Sequence, residues 1–265
     1  MASINTNYGA AIALQNLNKT NSELERTQNR INTGMKVSTA KDSGAIFSIA
    51  TSQRANASAQ DAVRTSLQRG QSIVDVALAA GDTITTALEE QKSLAVSIAS
   101  STGTAQASYL AEYNALGTEI SSALGGATFD GVNLFKANAA AITVQTGTSS
   151  TSTLKAIAAT DTAVATTATA AAGDAATLVA TVDSAISAFS AVLSDFGTKS
   201  KSVGRSITFA NKLQDALEAG VGNLVDADLA KESAKLTALQ TKQQLGVQAL
   251  SIANSSSQVL LSLFR

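Results

Sequence analysis

Eleven positions between Val63 and Ile98 advance by alternating steps of four and three: Val63, Leu67, Gly70, Val74, Ala77, Gly81, Ile84, Leu88, Gln91, Ala95 and Ile98. Only Gln91 is polar. A repeat averaging about 3.5 residues, just under the helical 3.6, keeps one apolar seam facing a partner only if the helices wind around each other with a left-handed twist. The chain contains no proline anywhere in its 265 residues, so such a helix meets no obligatory break. Gly70 and Gly81 each cost about 1 kcal/mol against alanine inside a helix, and their place on the seam points to a close approach by a neighbouring element.

Two further segments carry the same four-three pattern. From about Asp174, Val182, Ile186, Phe189, Leu193, Phe196, Val203, Ile207 and Ala210 form a long helix's inner face, with Ser200 as its polar member. Near the start, Leu14, Leu17, Leu24 and Ile31 mark an amphipathic helix over 1–34, with Asn21 and Gln28 completing the stripe and Gly34 as its C-cap. A short irregular stretch ends in Asp42 and Ser43, residues suited to capping the next helix. A shorter helix is expected over about 105–124, with Leu110, Tyr113, Leu116, Ile120 and Leu124 inward, stopped by Gly125 and Gly126. Asp130-Gly131 then reads as a turn, and Ile142 to Thr146 alternates as a strand does. Residues 147–177 are low-complexity Thr, Ser and Ala, either a short β-excursion or a loop with little core of its own. Gly220-Val221-Gly222 punctuates the second long helix. Asp226 and Asp228 stand where acidic side chains suit the positive end of a final helix.

That final helix is apolar beyond one face. Leu229, Leu236, Leu239, Leu250, Ala253, Leu260 and Phe264 make the stripe, and Leu245, Ile252, Val259 and Leu263 widen it. Chain ends are ordinarily frayed and polar, so this one is built to be covered. The fold class expected is mainly α: a long antiparallel helical hairpin with terminal helical arms and a small β-hairpin or loop tip. Its parts are an N-terminal arm over 1–43, a helical body over 44–220 with an insert at about 129–177, and a C-terminal arm over 221–265. The core of the body is expected at Val63, Leu67, Val74, Ile84, Leu88 and Ile98 facing Ile186, Phe189, Leu193, Phe196, Val203 and Ile207.

Composition narrows the chemistry. Aromatic residues are only 4% and tryptophan is absent, which favours thin helix-on-helix packing over a thick core. There is no cysteine and no histidine, which removes disulfides, thiolate nucleophiles, the commonest metal ligand and the commonest general base. No catalytic, metal or cofactor site is expected, and therefore no cofactor. Nineteen basic residues against twenty acidic ones give a net charge of −1, so no nucleic-acid footprint is expected. No run of eighteen apolar residues occurs, so no membrane insertion is expected. The first residues lack the basic flank and apolar core of a cleavable secretion signal. Glu89 and Glu90, or Asp226 and Asp228, are paired carboxylates, but helix-surface and helix-start roles account for them.

Two terminal blocks carry a specific resemblance. The first is Ser3-Ile4-Asn5-Thr6-Asn7, Asn16-Leu17, Asn29-Arg30-Ile31-Asn32-Thr33-Gly34 and Ala40-Lys41-Asp42. The second runs from Asn223 through Asp226, Asp228, Glu232 and Leu236, then Gln240, Gln243-Gln244 and Ala253-Asn254. With Leu94-Ala95-Val96 and the Phe129 to Leu134 turn, the chain resembles bacterial flagellin throughout, apart from about 147–177. The resemblance implies a subunit of the flagellar filament whose terminal arms form an inner coiled-coil tube. The polymerising residues would then include Ile4, Leu14, Leu17, Leu24, Ile31, Leu236, Leu239, Leu250, Ile252, Leu260 and Phe264. It also implies an extracellular destination, reached unfolded through the flagellar type III export apparatus with an export chaperone. Assembly would take place at the distal tip beneath a cap, above the hook-associated junction proteins. A junction protein is itself the alternative, since it shares the arms and the export route.

Two finer expectations follow from the resemblance. The vertebrate Toll-like flagellin receptor reads the segment matching Ala87 to Leu94. Recognised relatives carry arginine where this chain has Glu90 beside Glu89, so weak or absent activation is expected. Thr143, Thr146, Ser149, Ser150, Thr151, Ser152 and Thr153 could accept O-linked sugars or form a plain polar loop.

Overall fold

The computed structural model describes residues 7–136, 142–147, 150–154, 164, 167 and 169–263; for 142, 152, 154 and 256–263 only the backbone is described. Five long helices dominate: α1 (Tyr8–Thr33), α2 (Gly44–Ser100), α3 (Gly103–Gly126), α4 (Ala175–Val225) and α5 (Leu229–Leu263). Between α3 and α4 lie two short strands, β1 (Ile142–Gln145) and β2 (Thr151–Leu154), and a single 3₁₀ turn at Ala172–Asp174. The chain divides into two compact units, one of residues 1–55 with 216–265 and the other of residues 56–215.

In the second unit every one of the eleven seam positions on α2 is buried. They face α4, which runs antiparallel: Arg64 reaches Gln214, Gln71 donates to the Ser200 hydroxyl at 2.6 Å, and Lys92 pairs with Asp183. Gly81 is where the neighbour comes closest. A Cβ placed there would collide with the Leu193 side chain, which occupies the notch the missing methyl leaves.

The inner face of α4 differs from the expected stripe at alternate positions. Val182, Phe189, Phe196, Val203 and Ala210 are buried as expected, but between Val182 and Ala210 the other buried positions are Ala185 and Val192. Ile186, Leu193 and Ile207 sit on the flank, partly covered. The cause is a third neighbour. Near its start α4 packs with both α2 and α3, and Ile186 touches both the main cluster and a second one made of Ala95, Ile98, Leu110, Tyr113, Leu178 and Val182. Two partners need a wider face than one seam supplies.

On α3, Leu110, Tyr113, Ile120 and Leu124 are buried, while Leu116 is only partly so and Gly117 takes the position beside it. Gln91, the polar seam member, is fully buried and donates to two backbone carbonyls, Tyr113 O on α3 and Thr167 O in the insert. Asp130 and Gly131 form the expected turn with φ of 51° and 76°, a geometry that glycine adopts freely and that closes Phe129 against Val132. Beyond it Phe135 stacks on Phe189 with ring centroids 5.7 Å apart and meets Phe196 edge-on at 5.6 Å. Asn133 ties the turn to α3 by donating to Leu124 O at 2.7 Å.

Of the Thr/Ser/Ala stretch, Thr151–Leu154 forms the described strand β2. β1 and β2 pair antiparallel, Ile142 opposite Leu154 and Gln145 opposite Thr151. It is better anchored than its composition suggests. Val144 and Val164 are buried in the main cluster, Thr167 is fully buried, and the Asn114 side chain holds Ala170 through both its N–H and its carbonyl.

In the first unit, α4 continues through Gly220-Val221-Gly222 to Val225 without the expected interruption. Val221 and Val225 bury themselves with Val37 and Ala50, and that packing outweighs the glycine penalty. Asp42 does not cap α2. Its carboxylate turns back to accept from the N–H and hydroxyl of both Ser38 and Thr39. Those bonds, the Thr39 ones first, hold its pKa below the usual carboxylate value. Part of the apolar composition of α4 passes the length and mean-hydropathy test for a membrane span (mean hydropathy 1.6), although the chain has no unbroken apolar run. Its large side chains Val182, Phe189 and Phe196 are spent on α2 and α3.

Candidate functional site: the paired terminal arms

Helix α1 opens on Asn7, whose carboxamide oxygen accepts from the Ala10 N–H at 3.0 Å. It closes on Gly34 at φ 69°, a left-handed conformation that other residues adopt only at a cost. Helix α5 opens on Asp228, whose carboxylate accepts from the N–H groups of Ala230 and Lys231 at 3.1 Å. The two arms meet antiparallel along their length. Asn7 donates to Ala253 O at 2.7 Å, Gln243 donates to Asn21 at 2.8 Å, and Arg30 pairs with Glu232 at 3.0 Å. Beyond those pairs the chain between the helices crosses the other junction as a short ladder: Ala227 N–H to Gly34 O at 2.8 Å and Lys36 N–H to Val225 O at 2.7 Å.

The buried face of α1 is not centred where the leucines predict. Thr20 and Thr27 are its most buried residues, Leu17, Leu24 and Ile31 are partly covered, and Asn21, Gln28 and Leu14 are exposed. Small side chains win the middle because the helices approach closely: Gly246 faces Leu17, where an added Cβ would lie 3.3 Å from a Leu17 methyl, and Gly9 faces Ala253. Thr20 lowers the cost of burial by donating to Asn16 O at 2.9 Å.

On α5, Leu239 is buried, and Leu236 and Leu250 are partly so. Ile252 is 69% exposed and Leu245, one heptad before it, is 60% exposed, both on a side of α5 that α1 does not cover. Tyr8, Ile12, Leu14, Leu229 and Val247 add further uncovered apolar surface. Beside this stripe runs an apolar groove of about 380 Å³ between the helices, lined by Ala13, Leu17, Thr20, Leu245, Gly246 and Ala249 with Asn16 and Lys242 at its edge. Ile4 and Phe264 lie outside the described residues, as does the side chain of Leu260. An arm pair of this kind holds together through its threonines, glycines, polar ties and Leu239, and leaves Tyr8, Ile12, Leu14, Leu245 and Ile252 uncovered.

Two family models match. The bacterial flagellin N-terminal helical region covers residues 4–140, and the bacterial flagellin C-terminal helical region covers residues 179–264. The chain belongs to the bacterial flagellin family. Flagellin FljN of Caulobacter vibrioides is 55% identical across 99% of this chain and 98% of its own length. The flagellin of Brucella melitensis is 39% identical over the full length of both. As a flagellin it is a structural subunit that polymerises into the flagellar filament, and nothing favours the hook-associated alternative. The segment between the two matched regions, 141–178, contains β1 and β2, and its shortness fits a flagellin with its outer part reduced. Of the residues expected in the flagellin body core, Val63, Leu67, Val74, Ile84, Leu88, Ile98, Phe189, Phe196 and Val203 are buried. Missed by sequence reasoning were Thr20, Thr27 and Gly246; the only available signal was their i, i+7 or heptad placement, which polarity and size concealed.

Proposed function

We propose that the uncovered apolar surface of the arm pair is the part of this flagellin that other copies bury when the filament forms. The observation that carries the reading is Leu245 and Ile252, exposed one heptad apart on α5 beside an apolar groove. Covering a leucine or isoleucine side chain contributes about 1.5–3 kcal/mol, and an arm helix with few internal partners gains most of its order from such contacts. The arms thus serve as the inner tube and residues 44–220 as the body around it. Leu14 acts with Ile252 in that contact, as do Ile4, Leu260 and Phe264; Leu17, Leu24, Ile31, Leu236 and Leu250 add what the arm pair leaves uncovered of them, while buried Leu239 holds the two arms together.

The chain leaves the cell through the flagellar export apparatus with a chaperone, and adds at the distal end beneath a cap and above hook-associated junction proteins. It works as part of an extracellular filament and carries no catalysis of its own. Exposed Glu90, beside Glu89 and the half-covered Leu94, reverses the charge of the arginine that relatives recognised by the Toll-like receptor carry there. Receptor-reporter cells given nanomolar protein should stay silent, and potent signalling overturns this. Thr143, Ser150, Thr151 and Thr153 are exposed and Thr146 partly so, an arrangement open to O-linked sugars; Ser149 and the side chain of Ser152 lie outside the described residues. Intact mass of the exported protein tests that point.

The deciding experiment is electron microscopy of purified monomer seeded with sheared filament fragments. Long uniform filaments, lost on deletion of 225–265 and on Ile252→Asn, are the expected result. Soluble monomer or short stubs from the intact chain overturn the reading.

A further inference from the structure

Asp130-Gly131 is the sequence's one Asp-Gly step, and no Asn-Gly occurs. In such a step the nitrogen of the second residue can reach the side-chain carboxyl carbon of the first, because glycine puts no β-carbon in the way. The turn leaves both reactants available. Gly131 is exposed, its N–H has no acceptor among the described residues, and nothing stands within 4 Å of where a β-carbon would be. The two bonds that close the turn run between Phe129 and Val132, each at 2.9 Å, and pass Gly131 by. The Asp130 side chain is 56% exposed, and its carboxylate has one partner among the described residues, Arg69 Nε at 2.5 Å from Oδ2. Asp130 is also the one non-glycine among the described residues with a positive φ, 51°, a conformation that costs an L residue energy.

The Asn-Ser and Asp-Ser steps, next in line for the same chemistry, lack that freedom. Asn21-Ser22, Asp183-Ser184 and Asn254-Ser255 lie inside helices, whose backbone bonds occupy the nitrogen that would attack. Asp42-Ser43 lies before α2, but its carboxylate already accepts from the N–H and hydroxyl of both Ser38 and Thr39.

We propose that Asp130-Gly131 is a site of spontaneous backbone isomerisation to isoaspartate, and that Arg69 slows it. The Gly131 nitrogen attacks Asp130 Cγ: the N–Cγ bond forms, a Cγ–O bond breaks, and that oxygen leaves as water with the amide hydrogen and one proton from solvent. Water then adds to the five-membered ring at the Asp130 main-chain carbonyl and breaks its bond to Gly131. The chain now continues through Cγ, the new carboxyl returns the proton, and the composition is unchanged. The departing oxygen has to be protonated first, and Arg69 holds one of the two in an ion pair directed at α2. Ring closure also swings the carboxyl over its own main chain, against the Arg69 bond. The product has one more main-chain carbon between Phe129 and Val132, where a two-residue turn matches the ladder. On its far side the turn is fastened to the core by Asn133 donating to Leu124 O and by Phe135 packing on Phe189 and Phe196. Isomerisation therefore pulls on a core contact, and the modified fraction grows with the age of the subunit. This chemistry needs no second copy and stands apart from the filament reading.

The test is ageing of the purified full chain in warm neutral buffer beside Arg69→Gln, Arg69→Lys, Asp130→Glu and Asp130→Asn, each first checked by circular dichroism and melting. Isoaspartate is read by methyl transfer from labelled S-adenosylmethionine with an isoaspartyl methyltransferase and placed by peptide mapping, since intact mass does not change. Wild type should accumulate it mainly at residue 130. Arg69→Gln should accumulate it about two- to fivefold faster, the range an exposed ion pair commands, while Arg69→Lys, which keeps the charge, should stay near wild type. Asp130→Glu keeps a carboxylate for Arg69 but needs a larger ring, and should stay unmodified there. Asp130→Asn, which loses ammonia instead of water, should react faster than wild type. The melting temperature should fall on ageing in wild type and hold in Asp130→Glu. No isoaspartate at 130 in the folded chain, over a time in which the guanidinium-unfolded chain acquires it, overturns the proposal. An unchanged rate in Arg69→Gln overturns the part given to Arg69.

Discussion

Arg30 on α1 and Glu232 on α5 meet at 3.0 Å with only 27% and 12% of their side chains exposed, and each keeps a buried polar atom, Nε and Oε2, outside the pair. The bond is single, through one guanidinium nitrogen and one carboxylate oxygen. It lies toward the end of the arms where the chain crosses from Gly34 to Ala227, so it pins the register of the antiparallel helices there.

Removing one partner strands the other's charge in a half-dry setting. Exposed pairs contribute about 0–1 kcal/mol and breaking a fully buried pair costs about 3–5, so Arg30→Ala should cost about 2 kcal/mol. The heat stability of assembled filaments is the measurement. Arg30→Ala with Glu232→Ala should be milder than the two single costs summed; strict additivity would show that the pair is idle.

Gly81 and Leu193 make a coupled test of the body. Alanine at Gly81 gains about 1 kcal/mol of helix propensity but pushes Leu193 out of its notch, and overpacking costs about 1–3 kcal/mol. Gly81→Ala should therefore lower the monomer's melting temperature in the natural background. In a Leu193→Ala background the same change should raise it. The same sign in both backgrounds would mean that Leu193 moves aside freely.

Tyr113 sets an alkaline limit. Its hydroxyl is buried without a hydrogen-bond partner among the described residues, and burial pushes its pKa up to about 12 from 10.0. The folded chain then holds this proton more tightly than the unfolded chain does. Its contribution is intact below about pH 10 and declines as pH rises toward 12, since the slope of stability follows the protons bound in each state. Urea titrations at stepped pH should show that decline, and Tyr113→Phe should flatten part of it. At neutral pH Tyr113→Phe should be neutral or slightly stabilising, because it removes an unpaired buried group.

The arms should be the first part of a free monomer to exchange their amide hydrogens, over residues 1–40 and 225–265. They lean on small residues and a few polar ties, while Leu245 and Ile252 have nothing over them. Filaments should protect the same amides strongly. Full protection of both arms in dilute monomer would contradict the reading.

On the second helix all eleven seam positions from Val63 to Ile98 were legible from a single period, but buried Ile73 and Ala87 lie off that seam, because α2 packs against α3 as well as α4. Helix α4 was legible only in alternate positions, since a second neighbour rotated the buried face toward Ala185 and Val192. In the arms the leucines misled. Leu14 was expected on the apolar stripe and is exposed, while Thr20 and Thr27, not expected on it, are buried. Sequence pattern reports where apolar surface is, but not whether the partner that covers it belongs to the same chain. The second strand, Thr151 to Leu154, was hidden by its composition, as its pairing depends on register with Ile142 to Gln145 and not on hydrophobic alternation.

Gln91 and Asn114 hold the insert by its main chain: they bind the carbonyls of Thr167 and Ala170 and the Ala170 N–H, and those bonds read no side chain. Among its described residues, Val144, Val164 and Thr167 need a fitted seat. A bearing of that design tolerates changes of side chain, and of length, in the segment it carries while the mount underneath keeps its dimensions.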